Sequence, residues 1–299
     1  MPKKVYQSPW QAELNDLLRG VAGAFLFGTP FLYTKEVWWK GNFATPPQMM
    51  FALGLTYSGL VLINWVAGFR NQQSGNWTRL LTDSAQALAI GLLAATLGLV
   101  LLNIISFDSG LNAIIGRIVL EGIPFGLGVG LANTYLKGNG GGSEEDEADT
   151  NGGRKTRKKQ HHSQKGVLAD AAATVVGAAL GAIISAGPLA PTDEISAIAG
   201  RQSYPRLLAI IAASLLLSYV IVFVAQFVSQ KSRLGQTGIL QRPVSETVFA
   251  YLVSLLMAMV MLWLFNVLRF DDPWDKWVSF IIVLGFPATI GGATARLVV

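Results

Sequence analysis

Arg117 and Glu121 are the one oppositely charged pair set deep within an apolar stretch of this sequence. A spacing of four places both side chains on one face of a helix, where they can pair. If that helix crosses a bilayer and begins near Leu111, Glu121 lies ~15 Å along it, near the midplane. Each charge there costs ~2.5–3.5 kcal/mol on insertion scales, so both must face protein or water. Two chemistries are open: the pair neutralises itself and pins a helix contact, or Glu121 holds a proton or cation while Arg117 tunes it or meets an anion. Asp170, early in another apolar run, joins the candidates, although an acid in a first helical turn also serves the helix N-terminus.

Around this pair the sequence carries GIPFGLGVG from Gly122, and a second stretch carries GFPATIGGA from Gly285. Pro124 and Pro287 each remove one helical hydrogen bond and crowd the preceding turn. Interrupted helices at corresponding positions of two repeats point to a midplane site in transporters. Packing alone is the competing account, because Gly122, Gly126 and Gly130 form a stripe that Gly285, Thr289 and Ala293 repeat, and such stripes let helices approach closely. Asn103 and Asn266, matched polar residues shortly before these helices, complete the candidate pathway. Glu36, Glu194, Asp108 and Asp271 are also matched in pairs and could form an outer vestibule that concentrates cations, with capping and solvation as the alternative. Asp83 and Glu246, at helix starts, read as caps.

These matches come from an internal repeat. At an offset of 163 the segment from Asn103 meets that from Asn266 without a gap: Phe107 meets Phe270, Asp108 meets Asp271, Gly122 meets Gly285, Pro124 meets Pro287 and Gly128 meets Gly291. At an offset of 158, Gly23, Pro30, Glu36 and Pro47 meet Gly181, Pro188, Glu194 and Pro205. Prolines and acids held in gapless register are hard to obtain by chance in apolar sequence.

The elements that must position these residues are membrane helices. The apolar fraction is 52% and the charged fraction 14%, against roughly 25% charged in an average soluble protein. Eight runs of about the length a bilayer needs can be marked: Leu17–Trp38, Pro47–Phe69, Ser84–Ser106, Leu111–Leu136, Val167–Gly187, Pro205–Phe227, Thr247–Leu268 and Trp277–Val299. In hydrocarbon, backbone groups must pair internally, so the runs are helices. The expected fold is an all-α polytopic membrane bundle of about eight transmembrane helices, arranged as two parallel four-helix repeats. The expected units are a cytoplasmic segment 1–16, a first repeat 17–136, a disordered charged cytoplasmic linker 137–166 and a second repeat 167–299. Glu13 and Asp16 interrupt the approach to the first run, unlike a signal peptide, so that run is expected to be retained.

Orientation follows from Lys and Arg. With eight spans, sixteen of the 23 fall on the side of the termini and six on the other, which makes both termini cytoplasmic in a bacterial inner membrane. The net charge of +5 then reports topology, and no nucleic-acid partner is expected. In the linker, Arg154, Lys155, Arg157, Lys158 and Lys159 could touch anionic lipid. The adjacent His161 and His162 are a weak metal candidate, and no metal or cofactor is expected. The chain has no cysteine, and it shows no HExxH, GxSxG, Walker loop or dinucleotide fingerprint, so an enzyme is not expected.

The paired GIPFGLGVG and GFPATIGGA helices, the Phe-Asp turns before them and the charged linker resemble an uncharacterised bacterial family of integral membrane proteins, over nearly the whole chain from Leu17. The resemblance implies a bacterial inner membrane and brings no substrate and no functional residues. The reading is a small-solute or ion transporter or channel with its pathway between the repeats. The alternative is a membrane scaffold or assembly factor whose charges and small residues only pack helices.

Overall fold

The computed structural model describes residues 9–70, 77–106, 110–135, 164–225 and 243–297. Ten α-helices stand among them: α1 (Pro9–Leu32), α2 (Lys35–Asn42), α3 (Pro46–Arg70), α4 (Trp77–Leu101), α5 (Leu111–Tyr135), α6 (Gln164–Ala186), α7 (Asp193–Ala199), α8 (Tyr204–Tyr219), α9 (Pro243–Leu264) and α10 (Trp274–Ala295). A π-helical turn, Val220–Val224, continues α8. Among the described residues, six helical stretches are long and apolar enough to cross a membrane: Pro46–Val66, Trp77–Leu101, Leu111–Thr134, Tyr204–Val224, Pro243–Leu264 and Trp274–Ala295. The first and fifth of the eight expected spans are not among them. α1 carries Glu13, Asp16 and Arg19 in its first half, and in α6 only Thr174–Ala186, an apolar stretch, has its side chains among the described residues.

Large apolar side chains point outward from the spanning helices, including Met50, Phe51 and Leu55 on α3, Leu93 and Leu97 on α4, Leu208 and Leu216 on α8, and Leu252 and Leu256 on α9. Apolar faces this extensive suit lipid as the surrounding solvent.

The order of long helix, short helix and three long helices occurs twice. In the first half α5 packs against α1, α2, α3 and α4; in the second, α10 packs against α6, α7, α8 and α9. Close approach requires glycine at equivalent points. A Cβ on Gly23 of α1 would lie 2.7 Å from the Gly128 carbonyl oxygen of α5. A Cβ on Gly181 of α6 would lie 2.7 Å from the Ala295 Cβ and closer still to the Gly291 carbonyl oxygen of α10. The Phe25 ring of α1 meets Phe125 of its own half edge-on at 5.4 Å and reaches across to Phe286 of the second half at 6.1 Å.

Two departures from the sequence reading share one cause. The expected span Leu17–Trp38 is broken after Leu32, and α2 resumes at Lys35; the second half repeats this with the turn from Gly187 before α7. The interruptions therefore fall here and not at Pro124 and Pro287, since α5 and α10 run unbroken through both prolines. A neighbouring helix can satisfy the carbonyl that a proline orphans. Val283, four residues before Pro287, is such a carbonyl, and the buried Tyr33 hydroxyl donates to its oxygen at 2.7 Å. The Ser185 hydroxyl likewise donates to the Pro287 carbonyl at 2.8 Å.

Asn103 and Asn266 end α4 and α9. They have φ of 55° and 60°, the two positive values outside glycine among the described residues. The next residue's N–H reaches back five positions, Ile104 to the Leu99 carbonyl and Val267 to the Leu262 carbonyl, both at 2.9 Å. These are Schellman caps, in which asparagine stands in for the usual glycine. The cap explains why the two asparagines match at an offset of 163. Replacing Asn266 with Val is expected to cost ~1–2 kcal/mol, because a β-branched residue resists the left-handed conformation. Asn266→Gly should stay within a few tenths of a kcal/mol of the native protein. Thermal unfolding of the detergent-solubilised chain separates the two outcomes.

Candidate functional site

Antiparallel packing of α1 on α5 sets the depth of the site. Gly23 meets Gly128 and Gly28 meets Phe125. Four residues further along α1 and four residues back along α5, the end of α1 reaches the level of Glu121. Gly41 of α2 then packs on Gly116 and Arg117. The break between α1 and α2 thus lies beside the stretch of α5 between Glu121 and Arg117.

The two charged residues do not pair. Arg117 is turned toward α2 and the end of α4: its Nε donates to Asn42 Oδ1 at 2.7 Å and its Nη1 to the Ile104 carbonyl. Glu121 is fully buried, and neither carboxyl oxygen has a hydrogen-bond partner. An i,i+4 spacing permits a pair, but the Arg117 guanidinium is held instead by neutral acceptors on neighbouring elements. A buried carboxyl with both oxygens unbonded is unusual in a native protein, and a proton or a cation is its natural counterpart.

Next to Arg117 is a cavity of about 270 Å³ lined by Lys35, Trp38, Trp39, Asn42, Ile104, Arg117, Ala197 and Arg201. It lies between the halves, with α2 and α5 on one side and α7 with the turn after it on the other. Other bonds tie the halves together nearby. Asn103 Nδ2 donates to the Arg201 carbonyl at 2.9 Å, Gln202 Nε2 donates to the Leu102 carbonyl at 2.8 Å, and the Lys35 backbone N–H donates to Glu194 Oε1 at 3.3 Å. Glu121 lies four residues beyond Arg117, ~6 Å deeper along α5, and does not line the cavity.

The remaining sequence candidates separate. Pro124 is half-buried in α5, and Pro287 is buried in α10. Asn103 and Asn266 serve as caps. Asp170 lies in α6, with its side chain outside the described residues. Of the vestibule set, Glu36 and Asp271 are exposed, Glu194 is half-buried against Lys35, and Asp108 lies outside the described residues. Beside Asp271, Asp272 accepts from Lys276 Nζ at 2.7 Å and from the Arg269 backbone N–H at 2.8 Å. These bonds hold its carboxyl below the ordinary carboxylate value. The basic linker residues and His161 and His162 also lie outside the described residues.

Sequence reasoning missed three residues that the fold uses. Lys35 and Arg201 are far apart in the chain and line one cavity. Arg19 is 2% exposed and donates from Nε to the Ala225 carbonyl at 2.9 Å, joining α1 to the end of the π-helical turn. In that turn the Ala225 N–H reaches back five residues to Val220. The π turn could not be read from the apolar run that contains it.

The family described as "Putative integral membrane protein (DUF2391)" matches residues 16–299, and the chain belongs to it. No curated protein matches the chain. No solved structure matches it either.

Proposed function

We propose that this integral membrane protein moves a small solute or ion along the interface between its two halves. The observation that carries the reading is the cavity between α2, α5 and α7, with the buried, unbonded Glu121 one turn deeper on α5. Helices broken at equivalent places in two halves, beside a polar site, are the pattern of secondary transporters. That is an argument from architecture, and the residues supply the chemistry: Arg117 and Lys35 at the cavity, Glu121 as the carboxyl that takes up and releases a proton or cation. Flux in proteoliposomes is the test. Glu121→Gln should lower it at least about tenfold, equivalent to ~1.4 kcal/mol on the barrier, with folding intact. Unchanged flux in this variant removes Glu121 from the pathway. No flux for any of a broad panel of ions and small solutes turns the reading toward a membrane scaffold.

The arrangement we propose has eight crossings, with α1–α2 and α6–α7 each counted as one broken span and both termini in the cytoplasm of a bacterium. Two parallel repeats then follow, related about an axis along the membrane normal. The antiparallel packing of α1 along α5, a helix long enough to span, supports counting α1. The absence of cysteine makes the test direct: single cysteines at Ser143 and Ser196 should react with an impermeant maleimide from opposite sides. Reaction from the same side would mean that α6 does not cross.

A further inference from the structure

We infer that the cavity between α2, α5 and α7 is a binding site for a small oxyanion, a ligand bearing a carboxylate or phosphate group. As the substrate class of the pathway proposed above, it rests on that reading; as a binding site, it stands on the cavity alone.

Three cationic residues, Lys35, Arg117 and Arg201, line the cavity, and among the described residues no Asp or Glu does. Like charges gathered around one space repel one another, and an anion between them adds an attraction to each of the three. Among the described residues, neither the Lys35 ammonium nor the Arg201 guanidinium has an ion-pair or hydrogen-bond partner. Arg117 is different. Two of its five N–H donors are spent on Asn42 and Ile104, which fixes the guanidinium plane and leaves three donors for a ligand. The Glu194 carboxylate accepts the Lys35 backbone N–H and is not part of the lining.

A second, independent observation comes from Trp38. Its side chain is 8% exposed, and its indole Nε1–H is buried without a partner. An indole nitrogen can only donate, and a buried donor left unmade is costly. What Trp38 lacks is an acceptor, which an oxyanion supplies and a cation does not. Trp39, Ile104 and Ala197 give the same cavity an apolar wall. Because one water takes ~30 Å³, a volume of about 270 Å³ holds an anion of several heavy atoms with a short apolar part. Such a ligand would touch both halves at once, α2 and α5 on one side and Arg201 on the other, so its binding would be linked to their relative position.

The test uses the full-length protein, purified and delipidated in a neutral detergent. Acetate, succinate and inorganic phosphate are titrated at fixed ionic strength, with chloride as the control, and thermal stability and tryptophan fluorescence are followed. An oxyanion is expected to stabilise the protein saturably where chloride does not. Lys35→Gln and Arg201→Gln, both on accessible residues, are expected to weaken that binding about tenfold or more each. No saturable response to any of the three, or equal affinity in the double variant, overturns the site. A parallel arm presents phosphatidylglycerol in nanodiscs. Binding of that lipid with none of the soluble oxyanions assigns the cavity to a headgroup and overturns the soluble substrate class. Oxyanion binding without oxyanion flux keeps the site and removes transport; flux without oxyanion binding does the reverse.

Discussion

Truncation of Glu246 to alanine is expected to destabilise the protein by about 3–5 kcal/mol, a loss that detergent unfolding or thermal scans of the solubilised chain would register directly. The reason is Arg296. Its side chain is 1% exposed just beyond α10, and its Nη2 donates to Glu246 in the first turn of α9. Removing one member of a buried pair leaves the other charge shielded from water without that counter-charge, and the desolvation dominates the cost. The companion experiment separates pairing from packing: Glu246→Ala combined with Arg296→Met should recover most of the loss, because the remaining group no longer carries charge. If the double variant is as unstable as Glu246→Ala alone, the pair is not the cause. Asp83, the residue matched to Glu246 in the first half, provides an internal control. It faces an exposed Arg79 at 3.9 Å, so Asp83→Ala should change stability by no more than ~0.5 kcal/mol.

Gly181→Val should cost ~3 kcal/mol and separate α6 from α10. A Cβ at this position runs into the Gly291 carbonyl, which is backbone and cannot swing away. Overpacking of a close contact typically costs ~1–3 kcal/mol, and a clash with a main-chain oxygen belongs at the upper end. Gly23→Val should behave alike, since Gly23 stands to Gly128 as Gly181 stands to Gly291. Gly54 is the control: its Cβ would meet nothing within 4 Å, and Gly54→Ala in the middle of α3 should be neutral or slightly stabilising. Equal losses at Gly54 and Gly181 would show that helix propensity, and not contact, governs both. A neutral Gly181→Val would remove the α6–α10 contact from the account of the fold.

Much of this protein is determined by the sequence alone. Six of the eight apolar runs coincide with helices long and apolar enough to cross a membrane, and the first and fifth fall mainly on α1 and α6, because period and length are local properties that hydrocarbon converts into helix. The matched residues Gly23 and Gly181, Gly128 and Gly291, and Asn103 and Asn266 could be aligned from the chain itself, and each pair does the same task in both halves.

The site was only partly legible. The sequence marked Arg117 and Glu121 as the charges to follow; Arg117 lines the cavity and Glu121 is buried four residues further along α5. It could not say that they part, because a helical spacing permits a pair without measuring it against Asn42 and the Ile104 carbonyl. It offered Pro124 and Pro287 as interruptions, with close packing as the alternative; the breaks lie after Leu32 and Ala186. Whether a proline interrupts a helix depends on what its neighbours offer the orphaned carbonyl, and Tyr33 is 250 residues away from Val283. Lys35, Arg117 and Arg201 carry no common pattern in the chain; packing of α2, α5 and α7 brings them around one space. Helix formation is decided by contacts a few residues apart and can be read from the sequence. A cavity and its charge are sums over elements distant in sequence, which only the tertiary structure fixes.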